Sequence, residues 1–221
     1  FWTIAVASLP GGRVTERTAA LPAVLSGVAP VAAVVAIGSR LWGWRAGALA
    51  GLILATTPFH FQLGHNVLPD AMLVAWLTWA FWAFLAAGER AWPPRLAGVF
   101  YGCVAGALLT KGPVALVALL AVGAATVLTD GWRGIGRMRP MWGAATLGAS
   151  ALPWIVPYYA RAREGFSEGV GKDQYLRWVL DNPTASGACD AAARLTHAVS
   201  ALPAFLPWTL LLVGAAVWWR R

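Results

Sequence analysis

Lys111 is an isolated cation between two long uncharged runs, residues 96–110 and 112–129, and is therefore a candidate for binding an anion. A charge at the centre of a membrane helix costs roughly 2.5–3.5 kcal/mol on insertion scales. As one helix, the segment would be about 50 Å long, whereas the hydrocarbon core is about 30 Å thick. Gly112 and Pro113 are typical of a turn followed by a new helix. The sequence thus predicts two helices, with Lys111 at a membrane surface facing a negative group.

Asp70 is a second candidate, and its sequence context has two interpretations. The Pro69-Asp70 pair is typical of a helix start, where an N-cap Asp stabilises the helix by about 1 kcal/mol. Alternatively, the carboxylate lines a polar cavity and faces a sugar hydroxyl, a metal or Lys111. His65 fits equally well as a polar group of that cavity or as an interfacial histidine, and His60 fits a structural role better.

The polar segment 161–194 holds the remaining candidates. Its charged residues are typical of a solvated loop. Within it, the stretch KDQYLRW at 172–178 mixes aromatic side chains with cations, as expected of a site for a phosphorylated or sugar-bearing lipid. Arg177 has the fork geometry that suits phosphate. Lys172, Asp173 and Arg177 are therefore candidate binding residues.

Composition indicates which elements must position these residues. Of 221 residues, 59% are hydrophobic and only 12% are charged, which is typical of an integral membrane protein. No barrel-type alternation is visible. We predict an all-α, polytopic transmembrane helix bundle forming a single domain over 1–221, with an extracytoplasmic loop at 161–194 after the sixth helix. The seven predicted spanning helices lie near 18–39, 46–63, 71–88, 96–109, 113–129, 140–160 and 195–219.

The charges predict an orientation. With seven spans, the loops fall into two sets, one of net charge +7 and one of net charge +1. The positive-inside rule places the first set in the cytoplasm, so Asp70, Lys111 and the segment 161–194 share the outer face. Topology then explains the basic composition, and nucleic acid is not expected as a partner. An aromatic belt is predicted at the cytoplasmic surface, formed by Trp42, Trp44, Trp92, Trp132 and Trp142.

Six short motifs occur in order along the chain, at residues 16–23, 40–47, 68–73 (LPDAML), 108–113 (LLTKGP), 151–154 (ALPW) and 206–210 (LPWTL). Each alone is weak. Together, they resemble those of the polytopic glycosyltransferases that use polyprenyl-phosphate sugars, which include the lipid A aminoarabinose transferases and the dolichyl-phosphate-mannose–protein mannosyltransferases. The resemblance covers most of the chain and implies the C-type glycosyltransferase fold.

This resemblance implies an inverting sugar transfer at the outer face of a bacterial plasma membrane. The donor would be a polyprenyl-phosphate-linked sugar and the acceptor a lipid, glycan or protein, with membrane lipid as a further partner. In the family, an acidic residue in the first extracytoplasmic loop acts as general base. That loop would precede Phe1, so the sequence is expected to be a fragment, truncated at both ends, that lacks its base.

The resemblance also gives roles to individual residues. Lys111 would hold the donor phosphate and Arg177 would assist it, while Asp70 would be a second cavity carboxylate. Glu16 would be an acidic residue on the donor side and is a metal ligand in some members, so a divalent cation is an optional cofactor. Two departures bear on specificity and on the metal: Asp173 replaces a common His, and His65 replaces a common Arg.

Two other functions are weighed against sugar transfer. A transporter could use broken helices with an isolated Lys and Asp as an ion path. Against this, the predicted charges cluster at one face rather than the midplane, and no internal repeat relates the two halves. The third alternative is a non-catalytic membrane fragment.

Overall fold

Helices form every regular element in the part of the chain that the structure describes. The computed structural model describes residues 2–65, 69–88, 92–161, 205 and 207–209. The α-helices are α1 (Trp2–Ser8), α2 (Glu16–Trp42), α3 (Trp44–Ala55), α4 (Pro58–His65), α5 (Pro69–Ala87), α6 (Pro94–Lys111), α7 (Leu116–Asp130), α8 (Arg133–Arg137) and α9 (Pro140–Arg161). Two 3₁₀ turns span Leu9–Gly11 and Gly112–Ala115. Among these residues, the predicted all-α fold class is confirmed.

The chain forms two compact units, residues 1–151 and 152–221. The first unit contains α1 to α8 and the first half of α9. In the second, the described residues are the last turns of α9 and a short turn in which the Trp208 N–H donates to the Phe205 carbonyl at 2.9 Å. The single domain over 1–221 stays a prediction.

The helices of the first unit have two common ends. Arg40, near the end of α2, donates to the carbonyl oxygens of Leu85 and Ala86 at the end of α5, so α2 and α5 run parallel. Asp70 at the start of α5 meets Lys111 at the end of α6, so α5 and α6 are antiparallel. We call the end at which Arg40 contacts Leu85 and Ala86 the arginine end, and the end that holds the Lys111–Asp70 pair the pair end.

The core of the first unit lies between α5, α6 and α7. Phe100 and Val104 of α6 and Val122 of α7 are fully buried there. Trp92 packs edge-on against Phe100, with ring centroids 5.1 Å apart, and is only 2% exposed. Trp92 is therefore a core residue, and its predicted place in the aromatic belt is wrong. Trp42, Trp44 and Trp132 are exposed, as an interfacial belt requires.

A helix break at Lys111 is confirmed, although α6 extends two residues past its predicted end at 109. Helix α6 ends at Lys111, and Gly112 follows with φ +66°, a backbone conformation that favours glycine. Its N–H donates to the Leu108 carbonyl and closes the helix. A 3₁₀ turn then leads into α7, which begins at Leu116 rather than at the predicted 113.

The prediction of a single helix at 46–63 is wrong, because two helices, α3 and α4, occupy this segment. Helices α3 and α4 meet at an angle of 64°. Pro58 begins α4, and proline lacks an N–H and excludes the preceding residue from helical geometry. The hydroxyls of Thr56 and Thr57 donate to carbonyls of the last turn of α3, at 2.7 Å each, and so stabilise the break.

The seven predicted spans are not confirmed. Of the described helices, α2 and α5 are long and apolar enough to cross a membrane, and α3 with α4 adds a third span if the bent pair counts as one. Helix α7 is apolar but has only 15 residues, about 22 Å against a core of about 30 Å. Counting uncharged residues overestimated its length because the 3₁₀ turn uses part of the run. The predicted helix at 195–219 lies outside the described helices.

Candidate functional site

Lys111 and Asp70 form an ion pair at the pair end of the first unit. Lys111 is the last residue of α6, and Asp70 is the second residue of α5. Each charge also complements the dipole of its own helix, since a cation is favoured at a C-terminus and an anion at an N-terminus. The sequence left three partners open for Asp70, namely a sugar hydroxyl, a metal or Lys111; in the structure it meets Lys111, 41 positions away.

A small buried apolar cluster lies one helical turn from the pair, on the side of the protein interior. Leu73 lies three residues after Asp70 in α5, and Ala107 lies four residues before Lys111 in α6, so each occupies the next turn on the same helix face. Ala115, from the turn after Lys111, completes the buried group. The two charged side chains therefore extend from packed helix ends rather than from a loop.

The pair remains open to solvent. The side chains of Lys111 and Asp70 are 43% and 41% exposed. Ion pairs at such exposure contribute at most about 1 kcal/mol to stability. An incoming anion can therefore compete with Asp70 for the ammonium, and the carboxylate can accept a hydrogen bond from a hydroxyl group. The geometry suits recognition of a ligand that carries both an anion and hydroxyls.

Among the described residues, neither Glu16 nor His65 forms an ion pair with Lys111 or Asp70. Glu16 is the exposed first residue of α2 and lies between Thr15 and Thr18, which form the capping box of that helix. His65 Nδ1 donates to the Phe61 carbonyl at 2.8 Å, and its ring lies 4.0 Å from the Phe61 ring. His65 therefore makes local contacts within the last turn of α4.

His60 has a structural contact that the sequence did not predict. Its Nε2 donates to the Gly27 carbonyl at 2.9 Å and joins α4 to α2. The side chain is almost buried. No spacing signal identifies this bond, because it depends on the bend before Pro58.

The remaining predicted site residues are outside the described part of the chain. These are Lys172, Asp173 and Arg177, and their predicted roles are therefore neither supported nor opposed here. Among the described residues, no group of three or more His, Cys, Asp or Glu side chains is placed to hold a metal ion.

Sequence reasoning missed a second charged group, at the arginine end. Arg137 of α8 pairs with Asp130, the last residue of α7. The Thr129 hydroxyl also donates to Asp130, at 3.1 Å. Membrane topology alone accounts for Arg137 in the sequence, and the sequence predicts no role for Asp130. One signal in the sequence could have indicated the pair. Asp130 is an acidic residue in an otherwise basic loop, and the positive-inside rule does not explain an acidic residue there.

Residues 1–158 match the model of a family described as dolichyl-phosphate-mannose-protein mannosyltransferase. No curated protein and no solved structure matches the chain. The matched region contains Glu16, His65 and the Lys111–Asp70 pair, whereas the candidates at 172–177 lie beyond it. Since the match covers most of the sequence, the chain belongs to the dolichyl-phosphate-mannose-protein mannosyltransferase family, whose members are membrane glycosyltransferases.

Proposed function

We propose that this chain belongs to an inverting glycosyltransferase that moves a sugar from a polyprenyl-phosphate donor to a lipid, glycan or protein acceptor. The observation that carries the proposal is the half-exposed Lys111–Asp70 pair at the ends of two packed helices. The family membership supports the general reaction. The site would face the exterior of the plasma membrane, because the more basic loops belong to the opposite end.

The chemistry requires a fixed cation. The acceptor hydroxyl gives up its proton to a carboxylate base, its oxygen attacks the anomeric carbon, and the bond from that carbon to the donor phosphate breaks. The electron pair of that bond leaves with the polyprenyl phosphate, which gains negative charge. Lys111 would stabilise that charge, and preorganised electrostatics of this kind is usually the largest catalytic contribution.

Asp70 would have a different task. Once the donor phosphate pairs with the ammonium of Lys111, the Asp70 carboxylate can accept a hydrogen bond from a hydroxyl of the sugar. Arg177 would add a bidentate phosphate contact, and Lys172, Asp173, His65 and Glu16 would line the donor cavity. A divalent cation stays an optional part of this proposal.

Transport is the weaker alternative because of where the charges lie. Ion-coupling residues of transporters lie near the bilayer midplane on broken helices. Lys111 and Asp70 instead occupy the terminal turns of α6 and α5.

The test is Lys111→Ala in the full-length protein that contains this chain, assayed with a polyprenyl-phosphate sugar. We expect sugar transfer to fall more than 100-fold while expression and membrane insertion stay near normal. Arg13→Ala is the matched control, because Arg13 is an exposed cation that precedes α2. Activity retained within a few-fold in Lys111→Ala would overturn the phosphate role.

A further inference from the structure

A cavity of about 210 Å³ lies at the arginine end of the first unit. The proposed sugar transfer makes no use of it, because the Lys111–Asp70 pair is at the other end of α5 and α6. Residues of α5, α7, α8 and the segment before α6 line it, among them Phe84, Leu85, Trp92, Thr129, Asp130 and Arg137.

Cations outnumber anions among the described residues at the wall of this cavity. Arg137 and Asp130 line it directly. Arg40 donates to the carbonyl oxygen of the lining residue Leu85, at 3.0 Å, and Arg139 donates to that of the lining residue Trp92, at 2.8 Å. In the part of the chain that the structure describes, three guanidinium groups and one carboxylate therefore lie in or next to the wall, which favours an anionic ligand.

Arg137 can accept such a ligand without leaving its partner. Its Nη2 donates to Asp130, and a guanidinium has five N–H donors in a fork that suits a second anion. Asp130 also accepts a hydrogen bond from its neighbour Thr129. The side chain of Arg137 is 29% exposed, so a phosphate can reach it from outside the unit.

The surroundings indicate that the ligand is a lipid. Trp132, in the turn between α7 and α8, is 82% exposed, and Met141 at the start of α9 is 80% exposed. Exposed tryptophan is typical of the headgroup level of a bilayer. Phe84 and Leu85 give the cavity an apolar wall that suits a glycerol backbone and the start of acyl chains. Basic pockets between membrane helices on the cytoplasmic side bind the headgroups of anionic lipids.

We propose that this cavity binds the phosphodiester headgroup of an anionic phospholipid. The phosphate contacts Arg137, with Arg40 and Arg139 adding positive potential, and the lipid joins α5 to α7 and α8 at the membrane surface. The site is separate from sugar transfer, so the two proposals stand or fail independently.

The test measures thermal unfolding of the purified full chain in detergent during titration with dioleoylphosphatidylglycerol. A ligand that binds only the folded state raises Tm, and we expect a saturable rise of about 3 °C, as for a modest stabilisation of a chain of this size. Dioleoylphosphatidylcholine should give no rise. Glycerol 3-phosphate and inorganic phosphate should give none at the same concentrations, and a rise equal to that with the lipid would overturn the lipid assignment.

Two variants locate the site. Asp130→Asn with Arg137→Gln removes the pair without leaving one charge unmatched, and Leu85→Phe fills the cavity while keeping the pair. In both variants, phosphatidylglycerol should no longer raise Tm. If the double variant does not fold, Leu85→Phe still tests the site. Arg45→Gln is the control, because Arg45 stacks over Trp44, 5.7 Å from the ring centroid, and does not line the cavity. An unchanged rise in Leu85→Phe, or an equal loss in Arg45→Gln, would overturn the proposal.

Discussion

Gly106 of α6 faces the indole of Trp76 in α5 so closely that a Cβ atom on it would lie 2.7 Å from the ring carbon Cε2. This contact lies between the main core and the cluster beneath Lys111 and Asp70. Trp76 packs against both of these groups. The close packing of Trp76 on Gly106 therefore connects the main core to the cluster next to the two charges.

Gly106→Ala should destabilise the protein. The added methyl group forces the indole of Trp76 to move, and overpacking of this kind typically costs about 1–3 kcal/mol. Thermal unfolding in detergent measures the effect. Gly102→Ala is the matched control on the same helix, because Gly102 is exposed and a Cβ there meets no atom within 4 Å. Alanine is the better helix former by about 0.5–1 kcal/mol, so Gly102→Ala should raise Tm. Equal shifts of the same sign would refute the close-contact argument.

Asp70→Asn should separate stability from activity. The pair is about 40% exposed, so its loss should change the free energy of unfolding by less than about 1 kcal/mol. If the carboxylate recognises the sugar, kcat/KM for transfer should fall at least tenfold with Tm nearly unchanged. Arg13→Gln is the control, since it removes an exposed charge that belongs to neither proposed site. A fall in activity that only follows a fall in Tm would count against a role in recognition.

The sequence predicted the features that rest on charge in an apolar background. Lys111 could not lie inside a single helix, and Gly112 with Pro113 marked the break, so the end of α6 was predictable. The alternation of helices across a membrane predicted a shared face for Asp70 and Lys111, but not their contact. Both arguments depend on local composition and length, which the sequence contains directly.

The features that depend on the meeting of distant segments were not predictable in the same way. Trp92 flanks a charged loop in the sequence, as the exposed Trp42 and Trp132 do, yet it packs against Phe100 and Tyr101. The bend before Pro58 was visible as a proline, but proline is also frequent inside membrane helices, so its effect was underestimated. The cavity at the arginine end needs three helix ends to converge, which no spacing in the sequence reports.

Tyr101→Phe should lower stability through a single buried hydrogen bond. The hydroxyl of Tyr101 donates to the Met138 carbonyl at 2.9 Å and ties α6 to the segment after α8. Its removal leaves a buried carbonyl without that donor, at a cost of about 1–3 kcal/mol. Thr78→Val is the control, because the Thr78 hydroxyl donates to carbonyls within its own helix. We expect a clear fall in Tm for Tyr101→Phe and little change for Thr78→Val. Indistinguishable Tm values would mean that the bond adds nothing to the packing of the ring.

Cysteine labelling should show which end of the first unit faces outward. Gly11 precedes α2, and Gly136 lies in α8 at the arginine end. A Cβ at either position meets no atom within 4 Å, so cysteine fits at both without altering any charge. With Cys189 replaced by serine and Cys103 left buried, a membrane-impermeant maleimide should label Gly11→Cys in intact cells. Gly136→Cys should react only after permeabilisation, because the positive-inside rule predicts that the basic loops lie in the cytoplasm. The reverse pattern would place Lys111 and Asp70 on the cytoplasmic side and require a donor presented there.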